Sequence, residues 1–558
     1  MRKAWTAGLA ACAVALAVVT VAAVASTVSA PAAPGAPGAR SGGQPPRVVT
    51  RPGTVRVAVP QRQQPFTTAQ CERSYGIACY SPDQLRAAYD LSPLFRKGIT
   101  GTGQTIVIVD SFGSPTIRQD LAVFDKQFGY PAPPSFTIIA PVGKIPAYSA
   151  GQNDMAGWAS ETTLDVEYAH ALAPGANILL AETPVAETEG TTGFPQIVAA
   201  EEYVIDHHLG NVISQSFSAT EETFTSYAQL APLRAAFVDA YDHHVTVLAA
   251  SGDSGSTDFG LDQHTYYTRP VTSWPDSDPL VTAVGGTQLK LAGGKYTSVA
   301  WNDTYDNAAT RYFSLATDPV PFASGGGISE FFSRPAYQNG VRSVTGAWRG
   351  VPDIAMSAAC DGAVNVYSTY PGQQPGWSLI CGTSEATPEF AAVVALADQV
   401  AGHPLGLINP ALYALSAKHA PGIVDVSSGN NTVSFYQGTP AALHTVTGYP
   451  AKRGYNLVTG VGTVNAASFV YELAGVPGHL LLGRLLLSRL GQPPEQVREP
   501  DGIHRLIGRV EFGEGPPARL ADAVADVHGG YLAERALVER HPPDEVVVVL
   551  ADHAALPA

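Results

Sequence analysis

Five short apolar runs alternate with helix-like segments through the middle of the chain, and this alternation restricts the fold more than any other feature. The runs are TIVIVD, ending at Asp110, ANILLAE (176–182), NVISQS (211–216), VTVLAAS (245–251) and LVTAVGG (280–286). Each is brief and built around an apolar stretch without a polar face, as a strand covered on both faces must be. Helical patterns near 161–172, 195–208 and 227–243 separate them, and SPDQLRAAYDL reads as a further helix with its own serine cap. Strands and helices alternating in this way predict an α/β fold, a doubly wound, mostly parallel sheet with helices on both faces. In such sheets chemistry gathers at the C-terminal strand ends.

Outside this region the composition shifts. Residues 1–30 carry Arg2 and Lys3, an apolar Ala/Val/Leu run from Ala7, and then small residues, the pattern of an export signal. The run is nearly long enough to span a bilayer, so an uncleaved anchor is the alternative. Residues 31–70, rich in Pro, Gly, Ala, Arg and Gln, read as a flexible leader, 71–475 as the main domain, and 476–558 as a tail without a functional assignment. The tail holds an amphipathic LLLGRLLLSRL stretch and a VVVVL run that reads as a strand. Of the 5 Cys, Cys12 lies in the signal. The other four, Cys71, Cys79, Cys360 and Cys381, allow three pairings after export, and closeness in sequence favours Cys71 with Cys79 and Cys360 with Cys381. With 33 Lys and Arg against 48 Asp and Glu, the net charge of -15 argues against a nucleic-acid partner. An acidic, charge-poor surface suits low pH, where protonated carboxyls no longer repel one another.

The stretch GTSEATPEF (382–390) sets Ser384 between a Gly-Thr pair and a proline-led helical run. Read from Pro388, the helix begins just after the serine, and its N-terminal amides would favour an oxyanion there. A capping serine is the ordinary alternative. A hydroxyl becomes a nucleophile only when a base takes its proton, and the usual base is histidine. None of the 14 His stands in a His-Gly-Thr motif. The segment ETTLDVEYAHALAPGANI offers carboxyls instead. Glu161 and Asp165 are four apart on a predicted helix, so their Cβ atoms lie roughly 5–6 Å apart on one face. In a poorly solvated cleft two such acids cannot both ionise, and one becomes a base and the other an acid. Glu167 could serve the same task but points to another side of the helix. A solvated helix face is the alternative for the pair.

GTSEATP resembles the nucleophile motif of the subtilisin-like superfamily, IVIVDS its first catalytic strand, and SGDSG (251–255) its oxyanion segment, with Asp253 where an asparagine is usual. Together with Glu161, Leu164 and Asp165 in an ExxxLD pattern, these motifs are similar to those of the sedolisin family, the serine-carboxyl peptidases. The likeness runs from about residue 80 to about residue 474. It implies a subtilisin-like α/β core and hydrolysis of peptide bonds at acid pH. Ser384 would be the nucleophile, Glu161 the general base, Asp165 its carboxyl partner, and Asp253, protonated, an oxyanion donor. It also implies that Ser324, Gly325, Gly326 and Gly327 line the substrate, where glycine allows close approach of a peptide backbone.

The family's Ca²⁺ site would fall on Asp425, Val426, Lys452, Gly454 and Asn456. Lys452 replaces a usual glycine there and Asn456 a usual carboxylate, which should weaken the site. Implied partners are protein or peptide substrates, with no nucleic acid and no membrane once the signal is removed. The expected state is a secreted monomer. The family's long inhibitory N-terminal segment has no room within 31–70. A subtilisin-type Ser/His/Asp hydrolase and a non-catalytic binding protein on the same fold are the alternative readings.

Overall fold

The computed structural model describes residues 55–305 and 319–476, with four short strands between 495 and 549. The expected signal and the LLLGRLLLSRL stretch lie outside the described residues. Within the tail, Glu545–Val549 is the strand read from VVVVL, paired antiparallel with Leu537–His541. No helix among the described residues is long and apolar enough to cross a membrane.

The expected doubly wound sheet is present. Its strands run in the order Lys295–Ala300, Thr282–Ala292, Thr246–Ala250, Val212–Gln215, Thr105–Ser111, Asn177–Thr183, Phe136–Ile139, with Ile354–Ser357 also paired to Thr282–Ala292. Every pairing is parallel except that of Lys295–Ala300 with Thr282–Ala292. Because side chains alternate along a strand, TIVIV supplies two cores. Ile106 and Ile108 enter one core with Leu164, Tyr168 and Phe390, whereas Val107 and Val109 enter the other with Phe194, Ile197 and Phe237. The first core is covered by two helices that pack against each other, Asn153–Leu172 and Thr383–Ala401.

The chain leaves Thr105–Ser111 toward the Phe136–Ile139 edge, returns through Asn177–Thr183, and then crosses to Val212–Gln215 on the opposite side. Winding thus reverses between Thr105–Ser111 and Val212–Gln215, and their C-terminal ends diverge into a crevice. Asp110 and Ser216 stand at those ends.

Three local readings need correction. The leader is not wholly without structure, because Val55–Arg62 forms a strand antiparallel to Gly376–Cys381. Its Val-Arg-Val-Ala-Val alternation is what a half-buried strand requires, but its partner lies far along the chain. The helix expected from 161 begins at Asn153, and Met155 to Leu172 are so thoroughly buried that no polar stripe marks its start. The helix expected over 227–243 is interrupted by a 3₁₀ turn at Ala231–Arg234 before Ala235–Asp242. Pro232, which lacks an N–H, lies in that turn.

Both disulfides favoured by sequence closeness are formed, Cys71–Cys79 and Cys360–Cys381. The second fixes the end of Gly376–Cys381 immediately before Gly382, where the serine helix starts. A buried ion pair anchors the neighbouring strand. Arg349 Nη1 donates to Asp353 Oδ1 at 2.7 Å, and Asp353 also accepts from Ala283 N at 2.9 Å and from the Tyr413 hydroxyl at 2.8 Å. Both side chains are fully buried. Arg349→Met should therefore cost about 3–5 kcal/mol in chemical unfolding, since it strands a buried carboxylate.

Candidate active site

Serine 384 is the second residue of the helix Thr383–Ala401, not the residue before it. Pro388 lies inside that helix rather than opening it, because the tight turn at Gly382, with φ of 123°, already begins the first turn at Thr383. Lacking an N–H, Pro388 cannot donate to the carbonyl four residues back, which is that of Ser384. Ser216 Oγ fills the gap at 3.4 Å from Ser384 O, and the same oxygen lies 3.0 Å from Asp165 Oδ1. The single Ser216 hydroxyl proton serves one of these two acceptors at a time, and the Asp165 contact is the shorter. The carboxylate helix and the serine helix are thereby joined at the crevice.

Asp154, Trp158, Glu161 and Asp165 follow one another at intervals of four, three and four residues, so they share one face of Asn153–Leu172. Asp154 and Trp158 line a cleft whose wall also includes Ser216, Asp253, Thr383 and Ser384. Glu161, fully buried, lies between Trp158 and Asp165 along that face of the helix. Burial raises the Asp165 carboxyl well above the usual range, the charges of Asp110 and Glu161 raise it further, and the Ser216 bond only partly offsets them. Asp110, at the end of the central strand, belongs to the same cluster. It is pushed up to about 7 by burial, moderated by the Thr162 hydroxyl. Sequence reasoning noted Asp110 as a strand end but did not make it part of the carboxyl group. Its signal was the likeness of IVIVDS to the strand that carries the catalytic aspartate in the subtilisin-like superfamily.

Glu167 serves elsewhere. Its carboxyl accepts from Tyr367 N at 3.1 Å, on the strand Ala363–Ser368. That contact keeps it away from Ser384.

Asp253 reaches the serine from the other side. Its Oδ1 accepts from Thr383 N at 2.7 Å and from Thr383 Oγ1 at 2.8 Å, while its Oδ2 has no hydrogen-bond partner. Burial pushes this carboxyl up to about 7, against the lowering effect of the Thr383 bonds. Below that pH, Asp253 carries a proton that Oδ2 can offer to a negatively charged oxygen beside Ser384. Gly252, with φ of 94°, makes the turn that presents it. Neither Ser216 nor Thr383 was singled out from sequence for these roles, because a lone hydroxyl carries no pattern.

The glycine-rich segment is placed differently from Asp253. Ser324, Gly325, Gly326 and Gly327 are all buried, and the cleft wall beside them is formed by Phe322. Gly325 N donates to Gly252 O at 2.7 Å, and a Cβ at Gly325 would collide with the Ser251 carbonyl. Close approach is thus required between this segment and the Asp253 turn. Ser324 Oγ accepts from Gly286 N at 2.9 Å and donates to Val458 O at 2.8 Å, tying the segment to the sheet.

The residues expected at a Ca²⁺ site do converge. Asn456 Nδ2 lies 3.1 Å from Lys452 O and 3.4 Å from both Val426 O and Gly454 O. Asp425 Oδ1 accepts from Gly454 N at 2.9 Å, and its Oδ2 lies 3.3 Å from Arg453 Nε. Oxygen atoms suited to Ca²⁺ are therefore gathered, but an amide N–H₂ and a guanidinium face them. The donor set does not fit the ion.

A carboxyl-lined serine at the switch point of an eight-stranded, mostly parallel sheet defines a protein of the subtilisin-like α/β class. The subtilase family model matches residues 149–439. Kumamolisin from Bacillus sp. (strain MN-32) is 32% identical over 379 residues, covering 66% of this chain and 61% of that protein. Sedolisin from Pseudomonas sp. (strain 101) is 27% identical over 391 residues, 70% of this chain and 60% of that protein. The solved structure of Pseudomonas sedolisin, a serine-carboxyl proteinase complexed with two molecules of pseudo-iodotyrostatin, matches with a TM-score of 0.57 at 25% identity, covering 72% of this chain and 99% of that one. The chain belongs to the subtilase family, in its sedolisin branch. Its match spans only about three fifths of the length of the two bacterial relatives.

Proposed function

We propose that the protein is a secreted serine-carboxyl peptidase that hydrolyses peptide bonds of protein or peptide substrates in acid. One observation carries this reading. The groups that reach Ser384 are carboxyls, Asp165 through Ser216 and Asp253 through Thr383, and no histidine lines the described cleft. Glu161 takes the Ser384 proton as Oγ bonds to the scissile carbonyl carbon, and the carbonyl oxygen becomes an oxyanion. Protonated Asp253 and the Ser384 N–H donate to that oxygen. Glu161 returns its proton to the leaving amine, the C–N bond breaks, and water repeats the sequence on the acyl-enzyme. Burial, and after it the charges of Asp110 and Glu161, raise the proton affinity of Asp165, which favours its neutral form beside the base. An imidazole would be cationic under these conditions and could not act as the base.

Asp253→Ala should lower kcat by about 10²–10³-fold with little change in KM, because its donor acts on charge that develops only in the transition state. Acid quenching of the wild-type protein during turnover of a peptide ester should leave the acyl group on Ser384, detectable by peptide mass mapping. An adduct elsewhere, or turnover with none, would count against the reading.

A further inference from the structure

The Asn456 side chain is hydrogen-bonded at both ends of its amide without an ion. Its Oδ1 accepts from Thr459 N at 3.0 Å, Val458 N at 3.1 Å and Thr459 Oγ1 at 3.1 Å. Those three donors fix which end of the amide is oxygen, since flipping it would set N–H₂ against two backbone N–H groups. The nitrogen must then face the carbonyls of Val426, Lys452 and Gly454. Asn456 and Val426 are buried, whereas Lys452 is exposed and Gly454 half-buried, so the amide is the inner partner of all three carbonyls. The one carboxylate of the group, Asp425, is engaged by Gly454 N and Arg453. Among the described residues no three His, Cys, Asp or Glu side chains gather as a metal site.

We infer that the Asn456 side-chain amide replaces a bound cation as the hub of this region. Its N–H₂ gives the carbonyl oxygens the positive partner that Ca²⁺ would supply. The same oxygen cage is thereby closed by covalently attached hydrogen-bond donors, and the fold holds without metal. A carboxylate at this position would keep the Oδ1 contacts but turn a second negative oxygen toward three carbonyls. That arrangement is stable only around a cation.

The test uses the full chain and Ca²⁺ itself as the probe, at about pH 5.5, where a solvated carboxylate is ionised. Wild-type protein dialysed against chelator and then against Ca²⁺ should retain no stoichiometric metal by elemental analysis, and its Tm should be the same in both. One retained Ca²⁺ per chain, or a Tm that climbs with Ca²⁺, would overturn the inference. Asn456→Asp should melt several degrees lower than wild type in chelator and recover on adding Ca²⁺. A variant as stable as wild type in chelator would show that the amide nitrogen is not the hub. Should the variant fail to fold, the wild-type measurement decides alone.

Discussion

Ser384→Ala should reduce peptide-bond hydrolysis at about pH 4 by roughly 10⁴–10⁶-fold, and Glu161→Ala should reduce it to a similar floor. The double variant should be no slower than either single one. This non-additivity follows from the chemistry, because a base without a nucleophile and a nucleophile without a base both leave only binding and oxyanion stabilisation. Steady-state rates on an unfolded protein substrate, with the fold of each variant checked by circular dichroism, provide the measurement. Full activity of either single variant, or losses that multiply in the double one, would separate Glu161 from Ser384.

Stability should fall steeply as pH rises from about 4 to about 7. Asp110, Asp253, Glu221 and Asp398 are each pushed up to about 7 by burial, and Glu201, Asp276, Glu385 and Glu389 are raised well above the usual carboxyl range by the same cause. Between the unfolded value near 4 and the folded value, the native state holds protons that the unfolded chain releases. Each pH unit crossed in that window therefore lowers the unfolding free energy by about 1.4 kcal/mol per such group. The contribution is fully favourable below about pH 4 and is spent once pH passes the folded value. Mutual repulsion among Asp110, Glu161 and Asp165 adds to the cost as they ionise. Melting followed from acid to neutral pH should show Tm dropping by on the order of 10 °C or more. A flat profile, or a protein most stable at neutral pH, would mean that these carboxyls are solvated or paired in the folded state.

The same burial accounts for what could be read from the chain and what could not. TIVIV, ILLA and VTVLAA are apolar on both faces, so their place in a covered sheet was legible, and the four-residue spacing of Glu161 and Asp165 fixed their common face before any coordinates. The GTS motif located Ser384, but Pro388 suggested a helix start that the Gly382 turn places five residues earlier. Partners far apart in sequence were not legible. Nothing in VRVAVPQR indicates that it pairs with Gly376–Cys381, and nothing in IVIVD indicates that Asp110 sits among the acids of a helix more than fifty residues later. Phe136–Ile139 is an edge strand whose burial is only partial, so it lacks the apolar run that marked the others. At the glycines 325 and 326 the sequence suggests close approach of a substrate backbone, whereas in the fold Gly325 is approached by the backbone of Ser251 and Gly252 and Gly326 by that of Val351 and Leu457. At Asn456 the sequence gives a missing charge, whereas the direction of the amide depends on three donors that only the folded turn brings together.

The central claim is that a carboxyl, not an imidazole, moves the Ser384 proton while Asp253 stays protonated. The pH dependence of kcat/KM on one peptide substrate tests it most directly, using initial rates and following the fold in parallel so that unfolding is not counted as lost catalysis. Activity should be greatest below about pH 5 and vanish as pH passes about 7, where Asp253 loses its proton. A rate that climbs through pH 6 to 7 and holds a plateau above it, the titration of a histidine base, would contradict the account.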